Sequence, residues 1–351
     1  MPYQVALLPW LGLRDEIHVG PVSIWPFEKF ADQKITDQKI LDYLRRYFRC
    51  YVNRLGQSVD SIAICSIGHS GFRSFADSEL LILRRAVNSL CFATYMRATT
   101  ASVESDNYSM TPPDVDCYLL YLQNFMPGGD NTVAIKSGMV TSVVYTFDQL
   151  KIQQPPWVTS GFGVNSVDLK LLDRLGKKLL LTSWNKSAAR VFNALEWFRL
   201  AHTAGDHISF EPRVSMTASA YESLFDLPPN QKAVPLMQKI DLRISDSKLR
   251  KKSFTFRDTK HSFTHAAAFV YEFYKLRNAI VHGEKINPER LRYSNRYLKK
   301  QGTGQWLTRL IVADVLLYEL IWAELSKRSD EICLLLKFSS AHEALGWSKA
   351  A

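Results

Sequence analysis

The chain has 351 residues, of which 46% are hydrophobic, 12% aromatic and 22% charged. This composition excludes a disordered or fibrous protein, and the length is sufficient for two domains of ordinary size. Lysine and arginine total 44 against 34 aspartate and glutamate, so the formal net charge is +10. Such an excess favours acidic partners, of which nucleic acid is the commonest, although composition alone also fits an ordinary basic protein.

Cysteine and histidine spacing gives no sign of a metal site. The five cysteines are odd in number and none stands in a C-x-x-C pair, so we expect reduced thiols. His261 and His265 are four residues apart, but no glutamate lies between them and no third ligand is evident. We therefore expect neither a bound metal nor a cofactor.

Two apolar segments bear on the cellular compartment. The first residues lack the basic start of a signal peptide and are predicted to form a buried strand. The later segment 306–325 is the most apolar, but it contains more charges than a membrane-spanning helix would tolerate. These charged residues are Arg309, Asp314, Glu319 and Glu324. We expect a cytoplasmic protein with no membrane contact.

Segments with strand character alternate with amphipathic helices in the first part of the chain. Alternating or apolar runs predict strands at 4–8, 18–25, 61–67, 116–125 and 132–147. Apolar residues at three- and four-residue spacing predict helices at 37–53 and 77–97. We interpret residues 1–155 as an α+β domain of unknown function, with a sensing or regulatory role as the hypothesis.

A break follows at 153–156, where Gln-Gln-Pro-Pro cannot easily continue a helix or a central strand. Beyond it the apolar spacing becomes helical. Helices are predicted at 167–204, with a break near Ser183, and at 213–227, 233–240, 262–282, 305–326 and 330–338. Residues 165–351 are therefore predicted to form an all-α helical bundle.

Two basic clusters flank the helix predicted at 262–282. The aromatic residues Phe254, Phe256, Tyr293 and Tyr297 are interleaved with their charges, a mixture that suits phosphate contacts combined with base stacking. Two solvated loops are the alternative interpretation. The residues predicted to contact nucleic acid are Lys248, Arg250, Lys251, Lys252, Arg292, Arg296, Lys299 and Lys300.

The helix predicted at 262–282 ends in the sequence YKLRNAIVHGE. Ser262 is the expected start, with Thr264 as a competing cap. Gly283 directly follows the last periodic residue, which is the usual signal for the residue just after a helix. His282 therefore lies in the final turn, where the helix dipole favours an imidazolium.

The polar side chains at the end of this helix predict a site shared between two chains. Asn278 and His282 are four residues apart and lie on one face, with Tyr274 at its margin. Arg277 is five residues from His282, about 140° round an ideal helix, so the two side chains cannot point the same way. If two copies of the helix meet across a two-fold axis, each contributes these residues to one cleft.

This pattern resembles the R-N-x-x-x-H motif of the HEPN superfamily, matched here by Arg277, Asn278 and His282. The phrases FNALEWFRLA, MTASAYESLF and FYKLRNAIVHGE look most like the Apea-like HEPN branch, in which an acidic position on an earlier helix accompanies the motif. Glu222 would fill that position, and Tyr274 is expected to support the site. The resemblance covers roughly the C-terminal half of the chain.

The resemblance implies a metal-independent endoribonuclease that acts on RNA as a homodimer. His282 would be the general acid or base for attack of a ribose 2′-OH on the adjacent phosphate. Arg277 would hold that phosphate, and Asn278 would orient His282 or the phosphate. Phage defence or toxin-like growth restriction is the expected role, together with a regulatory partner protein. A catalytically inactive HEPN dimer that binds RNA, nucleotide or a partner protein is the alternative.

Overall fold

The computed structural model describes residues 3–59, 62–68, 72, 74–105, 114–125, 132–137, 141–155, 158, 167–181, 185–203, 209–225, 227, 233–244, 248–256, 259–297, 307–326 and 331–349. The chain divides into two compact units. The N-terminal unit consists of Met1–Cys91 and Pro113–Val167, and the C-terminal unit consists of Phe92–Pro112 and Asp168–Ala351. The first part of the chain mixes helices with a five-stranded sheet and the C-terminal half is mostly helical, as predicted.

The strands of the N-terminal unit are β1 (Tyr3–Leu8), β2 (Ile17–Val19), β3 (Val22–Pro26), β4 (Tyr51–Val52), β5 (Ala63–Ile67), β6 (Tyr121–Phe125), β7 (Thr132–Ser137), β8 (Thr141–Thr146) and β9 (Ile152–Gln153). An antiparallel sheet has the order β2-β3-β5-β1-β6. Strand β1 lies between β5 and β6, and its residues Ala6, Leu7 and Leu8 are completely buried. Short apolar runs suit strands in such an interior position, and the strands predicted at 4–8 and within 61–67 are confirmed.

Two runs predicted as single strands are hairpins. The run 18–25 turns at Gly20 and Pro21, between β2 and β3. Gly20 has a φ of 60°, and Pro21 then imposes a negative φ, which are the φ signs of a type II′ turn. The run 132–147 contains the β7–β8 hairpin. Apolar runs on either side of a short turn are continuous in sequence, so the pattern alone does not separate them.

The strand predicted at 116–125 is wrong in its first half. A 3-10 turn occupies Val115–Tyr118, and the strand begins only at Tyr121. The side chain of Asp114 accepts a hydrogen bond from the N–H of Asp116 at 3.0 Å. This local bond offers the backbone an alternative to strand pairing.

The helices of the N-terminal unit are α1 (Phe27–Lys34), α2 (Gln38–Phe48) and the first part of α3 (Asp77–Ser105), whose remainder belongs to the C-terminal unit. Helix α2 begins where predicted because Asp37 Oδ1 accepts a hydrogen bond from the N–H of Lys39 at 2.8 Å. It ends earlier than predicted, since Tyr51 and Val52 pair with β9. Helix α1 is not predicted because its eight residues make only about two turns, although the buried residues Phe27, Phe30 and Ala31 have helical spacing.

The helices of the C-terminal unit, besides the remainder of α3, are α4 (Leu169–Leu179), α5 (Lys186–His202), α6 (Phe210–Phe225), α7 (Ala233–Ile244), α8 (His265–Val281), α9 (Arg309–Leu325) and α10 (Glu331–Ala344). Helix α9 is buried on nearly every side and packs against α4, α6, α7, α8 and α10. Helix α8, which carries the motif, packs against α6 and α7. The helical predictions agree with these elements, although the predicted break at Ser183 lies outside the described residues.

The prediction that residues 165–351 are entirely helical is wrong in one place. Strands β10 (Lys251–Phe256) and β11 (Thr259–Thr264) form an antiparallel hairpin directly before α8. Ser262 pairs with Ser253 in this hairpin, so the predicted helix start at Ser262 is also wrong. The competing cap is the one observed, because the hydroxyl of Thr264 accepts a hydrogen bond from the N–H of Ala267 at 3.3 Å.

Two of the three acidic residues of α9 are paired with histidines inside the C-terminal unit. Asp314 Oδ2 lies 2.8 Å from His202 Nε2, and Glu319 Oε2 lies 2.8 Å from His342 Nε2, with all four side chains buried. Burial raises the pKa of Asp314, and the neighbouring His202 opposes that rise. Among the described helices, none is both long enough and apolar enough to cross a membrane.

Asp168 joins the start of α4 to α9 and α10. Its Oδ1 accepts a hydrogen bond from the N–H of Leu171, and its Oδ2 accepts hydrogen bonds from the Tyr318 hydroxyl and from Lys337 Nζ. Burial alone would raise the pKa of Asp168, but the hydrogen bonds from Tyr318 and Lys337 outweigh it and hold the pKa below its ordinary value. The carboxylate therefore stays charged at neutral pH and fixes three helices together.

Candidate functional site

Helix α8 ends at the glycine that the sequence indicates. Gly283 has a φ of 74°, and its N–H donates to the carbonyl of Ile280 at 3.0 Å. The N–H of Glu284 reaches back to the carbonyl of Ala279 at 2.9 Å, which completes a Schellman motif. The prediction for Gly283 is confirmed, and His282 is the C-cap residue of the helix.

Four polar side chains converge where α6 packs against α8. The Tyr274 hydroxyl donates a hydrogen bond to Glu222 Oε1, and Arg277 Nη2 lies 3.8 Å from the same oxygen. Arg277 Nη1 donates to Asn278 Oδ1 at 3.1 Å. The guanidinium carbon of Arg277 lies 5.4 Å from the centre of the Tyr274 ring. We call Glu222, Tyr274, Arg277 and Asn278 the Arg277 cluster.

The Arg277 cluster is mostly buried, but part of it reaches the surface. The side chain of Arg277 is 26% exposed and that of Glu222 is 17% exposed, whereas Tyr274 is buried. Burial raises the pKa of Tyr274, and its hydrogen bond to Glu222 raises it further. The Tyr274 hydroxyl therefore remains a donor, and the Glu222 carboxylate is held between a phenol and a guanidinium.

His282 does not join the Arg277 cluster within one chain. Its side chain is exposed and makes no hydrogen bond, ion pair or ring contact with any residue in the described part of the chain. Arg277 points about 140° away round the helix, which agrees with the absence of contact. Of the five predicted site residues, the structure brings together four and leaves His282 alone at the end of the helix.

The two basic clusters meet around a cavity of about 830 Å³. One cluster contributes side chains from β10, and the other contributes Arg296. Helix α8 forms one wall through His265 and Glu272, which are seven residues apart and so share a face. The charged and polar lining includes Lys251, Lys252, His265, Glu272, Arg296 and Arg309. We call this space the basic cavity.

Aromatic rings and an amide hold the wall of the basic cavity in place. The guanidinium carbons of Arg250 and Arg296 lie 3.7 and 4.6 Å from the centre of the Tyr297 ring. Asn295 Nδ2 donates to the Tyr293 hydroxyl at 3.1 Å. Tyr297 was predicted as a surface for stacking bases, but in the structure arginines of the chain itself lie over its ring.

The remaining residues of the basic clusters lie elsewhere. Arg292 Nη1 pairs with Glu289 Oε1 at 2.9 Å, and neither Arg292 nor Lys248 lines the basic cavity. Lys299 and Lys300 lie outside the described residues. The predicted nucleic-acid contacts therefore do not form one continuous set in the described structure.

Sequence reasoning missed three titratable residues of the basic cavity, which are His265, Glu272 and Arg309. The spacing of His265 and Glu272 predicts that they share a face of α8. Nothing in the sequence indicates that this face and Lys252 line the same cavity. Arg309 begins a separate helix, and its position depends on how α9 packs. Among the described residues, no group of three or more histidines, cysteines and acidic side chains could hold a metal ion.

Comparison of the chain with protein-family models, with curated proteins and with solved structures found no match. The resemblance to the HEPN superfamily consequently rests on residues of this chain alone, chiefly Arg277, Asn278 and His282. In the structure, two of these residues, Arg277 and Asn278, belong to the Arg277 cluster.

Proposed function

We propose that the chain is a metal-independent endoribonuclease whose active site is built from Arg277, Asn278 and His282 of two copies. The observation that carries the proposal is the Arg277 cluster, in which Glu222 and Tyr274 help to hold a partly exposed guanidinium in place. A fixed guanidinium can bind a phosphate through two parallel hydrogen bonds. A histidine exposed at the same helix end supplies an imidazole, a group that can accept and donate protons.

The proposed reaction uses the ribose of the RNA as the nucleophile. The imidazole of His282 accepts the proton of a 2′-OH while its oxygen forms a bond to the adjacent phosphorus. The bond from phosphorus to the 5′ oxygen breaks, and that oxygen takes up a proton from water. The imidazolium of His282 returns its proton to the solvent. Arg277 donates hydrogen bonds to the non-bridging oxygens, whose negative charge grows in the transition state. The products are a 2′,3′-cyclic phosphate and a 5′-hydroxyl, and DNA, which lacks the 2′-OH, is not cleaved.

A second copy of the chain is part of this proposal. Arg277 and His282 point about 140° apart on one helix, so a phosphate bound by Arg277 is approached by the His282 of a partner copy. Val281, which separates the two faces, is a large apolar residue with 54% of its surface exposed. Burial of this side chain against a second copy would stabilise the pair.

The wider role rests on the family resemblance. We propose that the excess positive charge of the chain attracts RNA, and that the protein restricts phage or cell growth in the cytoplasm. The N-terminal unit would sense a trigger or restrain the nuclease, alone or with a regulatory partner protein.

Cleavage of a single-stranded RNA in buffer containing EDTA tests the proposed function. We expect His282→Ala to lower the cleavage rate by roughly 10²–10⁴-fold, the usual contribution of a general acid or base. His18→Ala is the matched control, because its side chain is 65% exposed and lies in the N-terminal unit. Equal cleavage by wild type and His282→Ala, or no cleavage by either, would show that the chain is not this nuclease.

One observation favours a non-catalytic alternative. The guanidinium of Arg277 already contacts Glu222 and Asn278 within its own chain, and His282 stands apart. An inactive dimer that binds RNA, nucleotide or a partner protein would need only the positive charge of Arg277 and the exposed end of α8. Saturable RNA binding by wild type without any cleavage product, and weakened by Arg277→Ala, would select this alternative.

A further inference from the structure

The basic cavity is separate from the proposed ribonuclease site. On α8, His265 and Glu272 face the basic cavity, whereas Tyr274 and Arg277 lie about 120–180° round the helix from His265. Within one chain, a ligand in the cavity would therefore contact the opposite side of the helix from the Arg277 cluster. The volume of about 830 Å³ lies within the range of roughly 300–1,000 Å³ found for small-molecule sites.

The lining of the basic cavity has an imbalance of charge. Four cationic residues and one acidic residue, Glu272, line the cavity, so the lining carries a formal charge of +3 when His265 is neutral. The cationic residues are Lys251, Lys252, Arg296 and Arg309. Within the described part of the chain, Lys251, Lys252 and Arg296 form no ion pair with a carboxylate. Like charges gathered around one concave space repel one another, and a multivalent anion would reduce that repulsion.

The other groups around the cavity narrow the choice of ligand. Burial lowers the pKa of His265, and the charges of Lys252, Arg250 and Arg296 lower it further, so the imidazole is neutral at pH 7. The start of α8 adds the positive end of a helix dipole. Glu272 would repel phosphate but can accept hydrogen bonds from hydroxyl or amino groups.

We propose that the basic cavity binds a small molecule that carries two or more adjacent phosphate groups. The phosphates lie among Lys251, Lys252 and Arg296, and any organic part lies toward Glu272 and Phe269. Adjacent phosphates place several negative charges close together, and these would balance the excess positive charge of the lining. An RNA strand carries a single charge per nucleotide along an extended path and fits the cavity less well. Free polyphosphate and a nucleoside polyphosphate share the phosphate chemistry, and only the second has groups for Glu272.

Isothermal titration calorimetry of the full-length protein with ATP, tripolyphosphate and adenosine tests the proposal. We expect saturable binding of ATP and tripolyphosphate, competition between them, and no binding of adenosine. Lys252→Ala and Arg296→Ala should each weaken both ligands about tenfold or more, as expected for loss of a charge-assisted hydrogen bond. Lys170→Ala is the matched control, since it removes the same charge from an exposed position on α4.

Glu272→Gln separates the two ligand sources. It should weaken ATP if the nucleoside part contacts Glu272, and it should leave tripolyphosphate unchanged or tighter because a repelling charge is removed. Weakening of tripolyphosphate by Glu272→Gln would contradict the proposed orientation. Thermal unfolding of each variant checks its fold, and if Arg296→Ala does not fold, Lys252→Ala carries the test from an exposed strand position.

Three results would overturn the proposal. The first is that neither ATP nor tripolyphosphate binds to wild type in a saturable manner. The second is that wild type, Lys252→Ala and Arg296→Ala bind these ligands with equal affinity. The third result is displacement of ATP by a single-stranded RNA oligonucleotide whose own binding falls in the same variants, which would assign the cavity to the path of RNA. Because binding is measured without RNA cleavage, failure here is distinct from failure of the proposed nuclease.

Discussion

Arg277 is held by three neighbours of different chemistry. A carboxylate oxygen of Glu222 lies 3.8 Å away, Asn278 accepts a hydrogen bond, and the ring of Tyr274 lies beneath the guanidinium. Fixing a free arginine side chain costs up to about 2 kcal/mol of rotamer entropy, and here the fold fixes it before any anion arrives. The charge of Glu222 opposes anion binding, so its longer contact leaves the guanidinium more available than a close ion pair would.

At the scale of single residues, we expect Tyr274 and Glu222 to be energetically coupled. Tyr274→Phe removes a buried donor, Glu222→Ala removes its acceptor, and the double variant removes both. A hydrogen bond to a charged group contributes about 1.5–3 kcal/mol. The sum of the losses in free energy of unfolding of the two single variants should therefore exceed the loss in the double variant. Urea unfolding of the four proteins measures this coupling. Additive losses, with a coupling below about 0.5 kcal/mol, would contradict it.

Signals that act within a few residues explain the elements that the sequence predicts. The cap at Thr264 and the glycine at Gly283 each bond to backbone groups less than one turn away, so their effect is local and readable. The β10–β11 hairpin is different. Its first residues, Lys251 and Lys252, resemble a solvated loop, and their strand conformation depends on pairing with β11.

The candidate site likewise has a part that could be predicted from local sequence and a part that depends on tertiary packing. Arg277, Asn278 and His282 are neighbours on one helix, and their relative directions follow from helix geometry. The position of Glu222 could be expected only through the family resemblance, because it reaches Tyr274 across the packing of two helices. The basic cavity depends on a hairpin, two helices and a loop at once, and no local pattern contains that information.

At the scale of the element, we expect Gly283→Ala to destabilise the end of α8 by about 1 kcal/mol. A Cβ at this position would meet no atom within 4 Å, so the cost arises from the φ of 74° and not from a clash. Gly283→Asn is the matched variant, since asparagine tolerates this conformation better than alanine. Hydrogen exchange of the amide of Glu284 measures the opening of the helix end. Equal exchange rates in wild type and Gly283→Ala would show that the turn is not strained.

At the scale of the whole molecule, the two proposed sites have different requirements. The basic cavity is complete within the C-terminal unit of one chain, because every group assigned to it belongs to that unit. The proposed nuclease site is incomplete within one chain, because Arg277 and His282 diverge. Polyphosphate binding is therefore expected in a monomer, whereas RNA cleavage is expected only in an assembly.

Mixed dimers test whether the nuclease site is shared. We expect Arg277→Ala and His282→Ala to be inactive alone but to recover about a quarter of wild-type cleavage when they are co-expressed in equal amounts. In a two-fold dimer that pairs Arg277 of one copy with His282 of the other, a mixed dimer has one site with both residues intact and one with neither. About half of randomly assorted dimers are mixed, and one site in two is active in each. Cleavage of the RNA substrate by the co-expressed mixture, assayed without separating the three kinds of dimer, measures the recovery. A mixed dimer as inactive as either parent, formed from variants that assemble like wild type, would place each site within a single chain.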